Sequence, residues 1–210
     1  MQFRPTRMEV SLENLKSNYR AMREWAGPRV QTIAVLKANA YGTGMIKAAG
    51  AFREAGAQRF SVAIPEEAFE LRENGFNEPV LVMGPPAACA AQEMVRLDVA
   101  GACTDTGFAK AMSDAAVRQG KPARIHLKVD TGMGRIGFLP EEIPSVMDDI
   151  LALPGLEIEG VFTHFATADE LNLDYTRWQF RRFGDVLELI RARHVGVRLH
   201  HACNSAATLP

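Results

Sequence analysis

Cysteine is scarce in this sequence. The three present, Cys89, Cys103 and Cys203, are odd in number and widely scattered, which argues against a disulfide framework and matches no zinc-ligand spacing. Neither sign of charge is in excess: 24 Lys+Arg stand against 25 Asp+Glu, for a formal net charge of -1. Such a balance leaves no electrostatic footprint for nucleic acid or anionic lipid. The apolar runs fall far short of the ~20 residues that cross a bilayer, and the opening residues 1–7 contain no apolar signal core. Low-complexity tracts and short-period repeats are missing too. What is present is a chain of 210 residues, 47% hydrophobic, long enough to bury one core. It is expected to be soluble, globular and cytoplasmic, with no metal site.

One pattern recurs along it. Short apolar runs rich in Val, Ile and Leu occupy Thr32–Leu36, Phe60–Ala63, Val80–Met83, Val99–Ala102, Ile125–Val129, Ile158–Thr163 and Val197–Ala202, as buried parallel strands should. Helix-like stretches accompany them: Leu12–Trp25 before the first run, then Glu66–Asn74, Phe108–Gln119, Glu142–Leu153 and Tyr175–Arg193. Gly75 and Gly120 follow two of these as stop signals. Alternating strand and helix predicts right-handed βαβ units and a parallel sheet. Seven strands fit either an open doubly wound sheet or an eight-stranded (β/α) barrel cut short. No Gly-x-Gly-x-x-Gly turn follows the first run, which weighs against a dinucleotide fold.

The reactive side chains favour the barrel. Lys37-Ala-Asn-Ala-Tyr41-Gly-Thr-Gly44 follows the first run, and Asp130-Thr-Gly-Met-Gly-Arg135 follows the fifth. Thr163-His164 ends the sixth, and Asn204-Ser205 follows the seventh. In a parallel barrel the C-terminal strand ends share one rim, where barrel enzymes place their sites. Lys37 reads either as a lysine snorkelling to solvent or as a Schiff-base lysine, and Gly42 and Gly44 favour the second by letting the backbone turn tightly beside Tyr41. Along the fifth run, Arg124, His126 and Lys128 share one face and Ile125, Leu127 and Val129 the other. If the apolar face meets helices, Lys128 points inward, where an unpaired ammonium is costly; it needs a partner or a modification. Arg135 and His164 each stay open between a site role and an ordinary surface or core role. Asn204-Ser205 reads as a helix start whose N–H groups suit a phosphate, or as a plain N-cap. His194, His200 and His201 read as structural.

These stretches resemble bacterial alanine racemase. The resemblance rests on Ala34–Gly44, His126–Gly137, Gly160–Asp169 and Asn204–Ala207, which keep the family's order and cover the chain nearly end to end. One departure is Thr43, where the family usually has His. The resemblance implies an isomerase that uses pyridoxal 5'-phosphate (PLP) to interconvert L- and D-alanine by a two-base mechanism, for peptidoglycan precursors. It implies Lys37, Arg135 and His164 as catalytic residues, with Lys37 bound to PLP and acting as one base. Tyr41 and Ser205 would meet the cofactor phosphate with Asn204 beside it, Arg135 the phenolic oxygen, and His164 the pyridine ring. Lys128 matches a lysine carbamylated in some members. Family members are longer, adding an eighth strand and a C-terminal β-domain that carries the opposing tyrosine, supplied by the partner of a homodimer. On that basis residues 1–210 are expected to form an incomplete PLP-binding barrel domain with exposed edge strands, and to racemise little alone. A broad-specificity amino-acid racemase and a non-catalytic PLP-homeostasis barrel are the alternatives, with a cofactor-free interaction module behind them.

Overall fold

The computed structural model describes residues 6–209, so most of the opening segment judged to lack a signal core lies outside the described residues. Seven strands form one sheet: β1 (Ala34–Val35), β2 (Phe60–Val62), β3 (Val80–Val82), β4 (Val99–Cys103), β5 (Ala123–Lys128), β6 (Leu156–Phe162) and β7 (Leu199–His201). Each strand pairs in parallel with its neighbour in sequence, giving the order β1-β2-β3-β4-β5-β6-β7. A doubly wound sheet would reverse direction at a switch point; this order never does. The result is a curled sector of an α/β barrel.

Around it lie α1 (Leu12–Ala26), a single turn α2 (Lys37–Tyr41), α3 (Met45–Glu54), α4 (Pro65–Glu73), α5 (Ala91–Arg96), α6 (Thr106–Gln119), α7 (Ile143–Leu151), α8 (Asp174–Ala192) and a short α9 (Ser205–Thr208). No helix among the described residues is long and apolar enough to cross a membrane. Helix boundaries follow local chemistry. The Asp105 carboxylate accepts the Phe108 N–H at 2.8 Å, so α6 begins two residues before the sequence pattern suggests, and Gly120 ends it in a left-handed conformation. The stretch expected at Glu142–Leu153 divides into a 3₁₀ turn over Pro140–Glu142 and α7.

The core lies between sheet and helices. Val62, Val82, Ile125, Leu127 and Val161 meet Leu71, Met94, Met112, Met147 and Phe183, all at most 3% exposed; each such side chain contributes about 1.5–3 kcal/mol by leaving water. Opposite residues, including Ser61, Leu81, Ala100, His126 and Lys128, are buried on the other face. The ladder slips once. Ile125 pairs with Ile158 but His126 with Gly160, leaving Glu159 as the extra residue of a bulge. That bulge re-aims the Glu159 carboxylate toward His126. Gly160 has no room for a side chain, because a Cβ there would lie 2.4 Å from the His126 Nδ1.

Candidate active site

The parallel register brings the ends of β1, β5, β6 and β7 to one rim. After β1 the chain enters α2, a turn of unusual hand: Ala38, Asn39, Ala40 and Tyr41 all have φ between 52° and 55°. For non-glycine residues the left-handed helix costs roughly 1–2 kcal/mol each, so α2 persists only because its surroundings over-determine it. The Glu67 Oε1 accepts the Ala38 N–H at 2.6 Å, and Asn39 Oδ1 accepts the Met45 N–H at 2.7 Å. Thr43, the position that departs from the family pattern, donates its hydroxyl to the Ala40 carbonyl at 2.6 Å. Gly42 and Gly44 follow with φ of 84° and 98°. The turn leaves the Lys37 Nζ 5.8 Å from the centroid of the Tyr41 ring, which is itself exposed.

After β5, Asp130 organises the next loop. Its carboxylate accepts the N–H groups of Gly132 and Gly134 at 2.9 and 3.1 Å and of Arg135 at 2.9 Å. Burial opposes the charge, yet these three donors hold the carboxyl below its ordinary range. Tyr175 of α8 closes the loop by donating its hydroxyl to the Gly132 carbonyl at 2.7 Å. A Cβ at Gly132 would strike Tyr175 and Trp178 at 2.7 Å, which explains the glycine.

Lys128 is 2% exposed. Its Nζ donates to the Val129 carbonyl at 3.3 Å and lies 5.1 Å from the Phe162 ring centroid. Burial pushes its ammonium down to about 8; Asp130 opposes that shift and Arg135 reinforces it. The inward direction expected for Lys128 is therefore what the fold produces.

His164 lies at the end of β6 and shows what gathers here. Its imidazole is lowered by burial, then by the charges of Arg135, Lys128 and Lys37. The charges that act on this ring come from two segments, the ends of β1 and β5. Arg135 itself is exposed. Asn204 and Ser205 follow β7, and Asn204 caps α9 by accepting the Ala207 N–H at 2.9 Å. Ser205 is exposed at that helix start.

Two polar groups that sequence pattern does not single out, Gln179 and Glu159, complete the surroundings. Gln179 is fully buried; it accepts the Ala166 N–H at 2.9 Å and donates to the His164 carbonyl at 3.1 Å and to Thr131 at 3.3 Å. Glu159 lies beneath the rim. It accepts from His126 Nε2 at 3.2 Å and from Arg59 at 3.2 Å, while His126 Nδ1 meets His201 Nε2 at 2.8 Å. His201, which sequence reads as structural, stacks on Phe162 with centroids 4.7 Å apart. A cleft of about 650 Å³ between α1 and the approach to β1 lies at the opposite end of the strands from the rim.

Two cations, Lys128 and Arg135, and a neutral imidazole form a donor set with the Lys37 amine at its edge. An anionic aldehyde fits that chemistry: a carbonyl for the amine, and phosphate and phenolate oxygens for the cations. PLP is such a molecule, and on donor chemistry the residues fit it.

Residues 10–210 match the family model described as alanine racemase, N-terminal domain. Alanine racemase 2 of Caldanaerobacter subterraneus subsp. tengcongensis is 42% identical over 207 residues, covering 98% of this chain and 53% of that protein. Alanine racemase of Desulforamulus reducens is 41% identical over 206 residues, covering 98% of this chain and 56% of that protein. Among solved structures, alanine racemase of Clostridium difficile 630 in complex with cycloserine superposes with a TM-score of 0.94 at 30% identity, covering 99% of this chain and 57% of that one. The chain spans about half the length of the curated relatives it matches.

Proposed function

This chain belongs to the alanine racemase family, and from that premise we propose that it forms the PLP-binding barrel of an isomerase that interconverts L- and D-alanine. The observation that carries the proposal is that Lys37, Arg135 and His164 follow the ends of β1, β5 and β6 on the shared rim of the parallel sheet. When bound, PLP supplies an electron sink that acidifies the substrate Cα–H. The remaining work falls to side chains. Lys37 Nζ would hold the cofactor, and its amine would move a proton to and from the substrate Cα on one face. Arg135 would donate to the phenolate oxygen. His164, kept neutral by burial and by its cationic neighbours, packs beside the pyridine ring without adding charge to it. The Tyr41 and Ser205 hydroxyls and the start of α9 would hold the phosphate, with Asn204 fixing the backbone there. The second base, on the opposite face, is a tyrosine from the C-terminal domain of a partner subunit in a homodimer. The setting is cytoplasmic, and the D-alanine feeds peptidoglycan synthesis.

The test is covalent. The whole protein is incubated with PLP, reduced with borohydride and digested; the expected result is a pyridoxyl label on Lys37. A label elsewhere, or none, overturns the proposal.

Lys128 belongs to the same reading. With its ammonium lowered to about 8, part of the population is free amine at neutral pH and is nucleophilic toward carbon dioxide. Attack forms an N–C bond and releases one proton, leaving a carbamate anion where an unpaired cation stood. That anion would attract the Arg135 charge, which otherwise opposes the Lys128 cation, and would remove the cost of burying a positive charge. In carbon-13 bicarbonate, a carbamate resonance is expected from the protein and none from Lys128→Met. The same signal in both would reject the assignment.

A further inference from the structure

Glu67 lies in the first turn of α4, thirty residues beyond Lys37, and touches none of the groups assigned to the reaction. We propose that it is the positioning residue that holds Lys37 and Tyr41 in place, by clamping the left-handed turn α2 to the end of β2. The inference rests on the proposed function for its catalytic meaning, but its physical basis does not.

The carboxylate is divided between two neighbouring strands. Oε1 accepts the N–H groups of Ala38 at 2.6 Å and Asn39 at 3.4 Å, immediately after β1. Oε2 accepts those of Ala63 at 2.9 Å and Ile64 at 3.4 Å, immediately after β2. An ordinary glutamate in a first helical turn reaches back to the N-cap N–H alone, as Glu142 does to Leu139 at 2.7 Å. Glu67 does that with one oxygen and leaves the other for a different element. Its partners Ala38 and Asn39 open the run of four non-glycine residues at φ of 52–55°. Ala38 and Asn39 carry the first N–H groups of the turn, which, as at any helix start, have no preceding helical carbonyl to take them, so an outside acceptor is required. Glu67 supplies it, and its charge makes the bonds strong. The remaining ties of the turn, from Asn39, Thr43 and the Leu36 carbonyl, all come from within residues 36–45. Glu67 is the tie among these that anchors the turn to the barrel.

Glutamine separates this role from plain helix capping, because it caps a first turn as well as glutamate does but has one acceptor oxygen instead of two. In the whole, cofactor-free protein, Glu67→Gln is expected to speed hydrogen exchange at Ala38 and Asn39 at least tenfold, with the amides of α4 and the melting temperature unchanged. Glu67→Ala is expected to release both sides. With PLP added, Glu67→Gln is expected to bind cofactor about tenfold more weakly by absorbance, while Glu67→Asp recovers part of the loss. Exchange at Ala38 and Asn39 that stays at the wild-type rate in both Glu67→Gln and Glu67→Ala overturns the clamp; so does an increase spread evenly over the whole barrel. Should wild type take no PLP at Lys37, the functional reading fails and the exchange result still decides the clamp.

Discussion

Replacing Lys37 with alanine is expected to lower alanine racemisation by the whole protein about a thousandfold or more, and to abolish borohydride-stable PLP labelling. The size follows from the two roles the amine carries. General acid–base help alone is worth typically 10²–10⁴-fold, and the covalent hold on the cofactor is lost with it. Lys37→Arg should fall as far, since a guanidinium keeps the charge but neither condenses with an aldehyde nor returns a proton readily. Equal losses in the two variants would assign the effect to the amine and not to the positive field around His164. The substitution should leave the fold intact, because Lys37 is only partly buried and its recorded side-chain neighbour is the exposed Tyr41 ring. Formation of D-alanine from L-alanine, followed with a D-specific oxidase, is the measurement. Activity within tenfold of wild type in Lys37→Ala would refute the assignment of the base.

Much of this architecture can be read from residue order, and the reason is local. Strands β2 to β4 are short apolar runs buried on both faces, β7 is only half-buried, and each strand of the sheet overlaps one of the seven runs. The alternation of β5 foretells that His126 and Lys128 share a face away from Ile125 and Leu127, and all four are buried as it implies. The rim positions of Lys37, Arg135, His164 and Asn204 follow from strand ends alone. What stays hidden depends on contacts between distant residues. Nothing in Ala38-Asn-Ala-Tyr41 announces a left-handed turn, since no glycine occupies it, and the carboxylate that holds it comes from α4. Helices α3 and α5 escape for a different reason: α3 is alanine-rich and starts without a side-chain cap, and α5 is six residues long. The pairing of His126 with His201 spans 75 residues, and the bulge that presents Glu159 to His126 arises from a register slip between strands. A histidine or glutamate at those positions carries no periodic signal.

That buried network makes the protein acid-labile in a window its chemistry defines. Glu159 is held down to about 2, by its hydrogen bond from His126 foremost, against desolvation, and then by the charges of His126 and Arg59; its ordinary value is 4.5. The unfolded chain therefore takes up this proton before the folded one does, so the stabilisation is complete above about 4.5 and is lost as the pH falls toward 2. The gap corresponds to about 3 kcal/mol. His201 acts in the same direction from a higher pH. Burial first, then the charges of His126, Lys128 and Arg59, lower its imidazole from 6.5 to about 3, so below 6.5 the unfolded chain again binds the extra proton. Urea midpoints are thus expected to begin falling below pH 6.5 and to fall more steeply below 4.5. Glu159→Gln should cost about 3 kcal/mol at pH 7, where Arg59 and His126 lose the carboxylate that accepts their hydrogen bonds. Its deficit relative to wild type should shrink as the pH drops through 4.5, because wild type alone still has that charge to lose. A deficit that stays constant from pH 7 to pH 3 would mean that Glu159 contributes through packing and not through its ionised carboxylate.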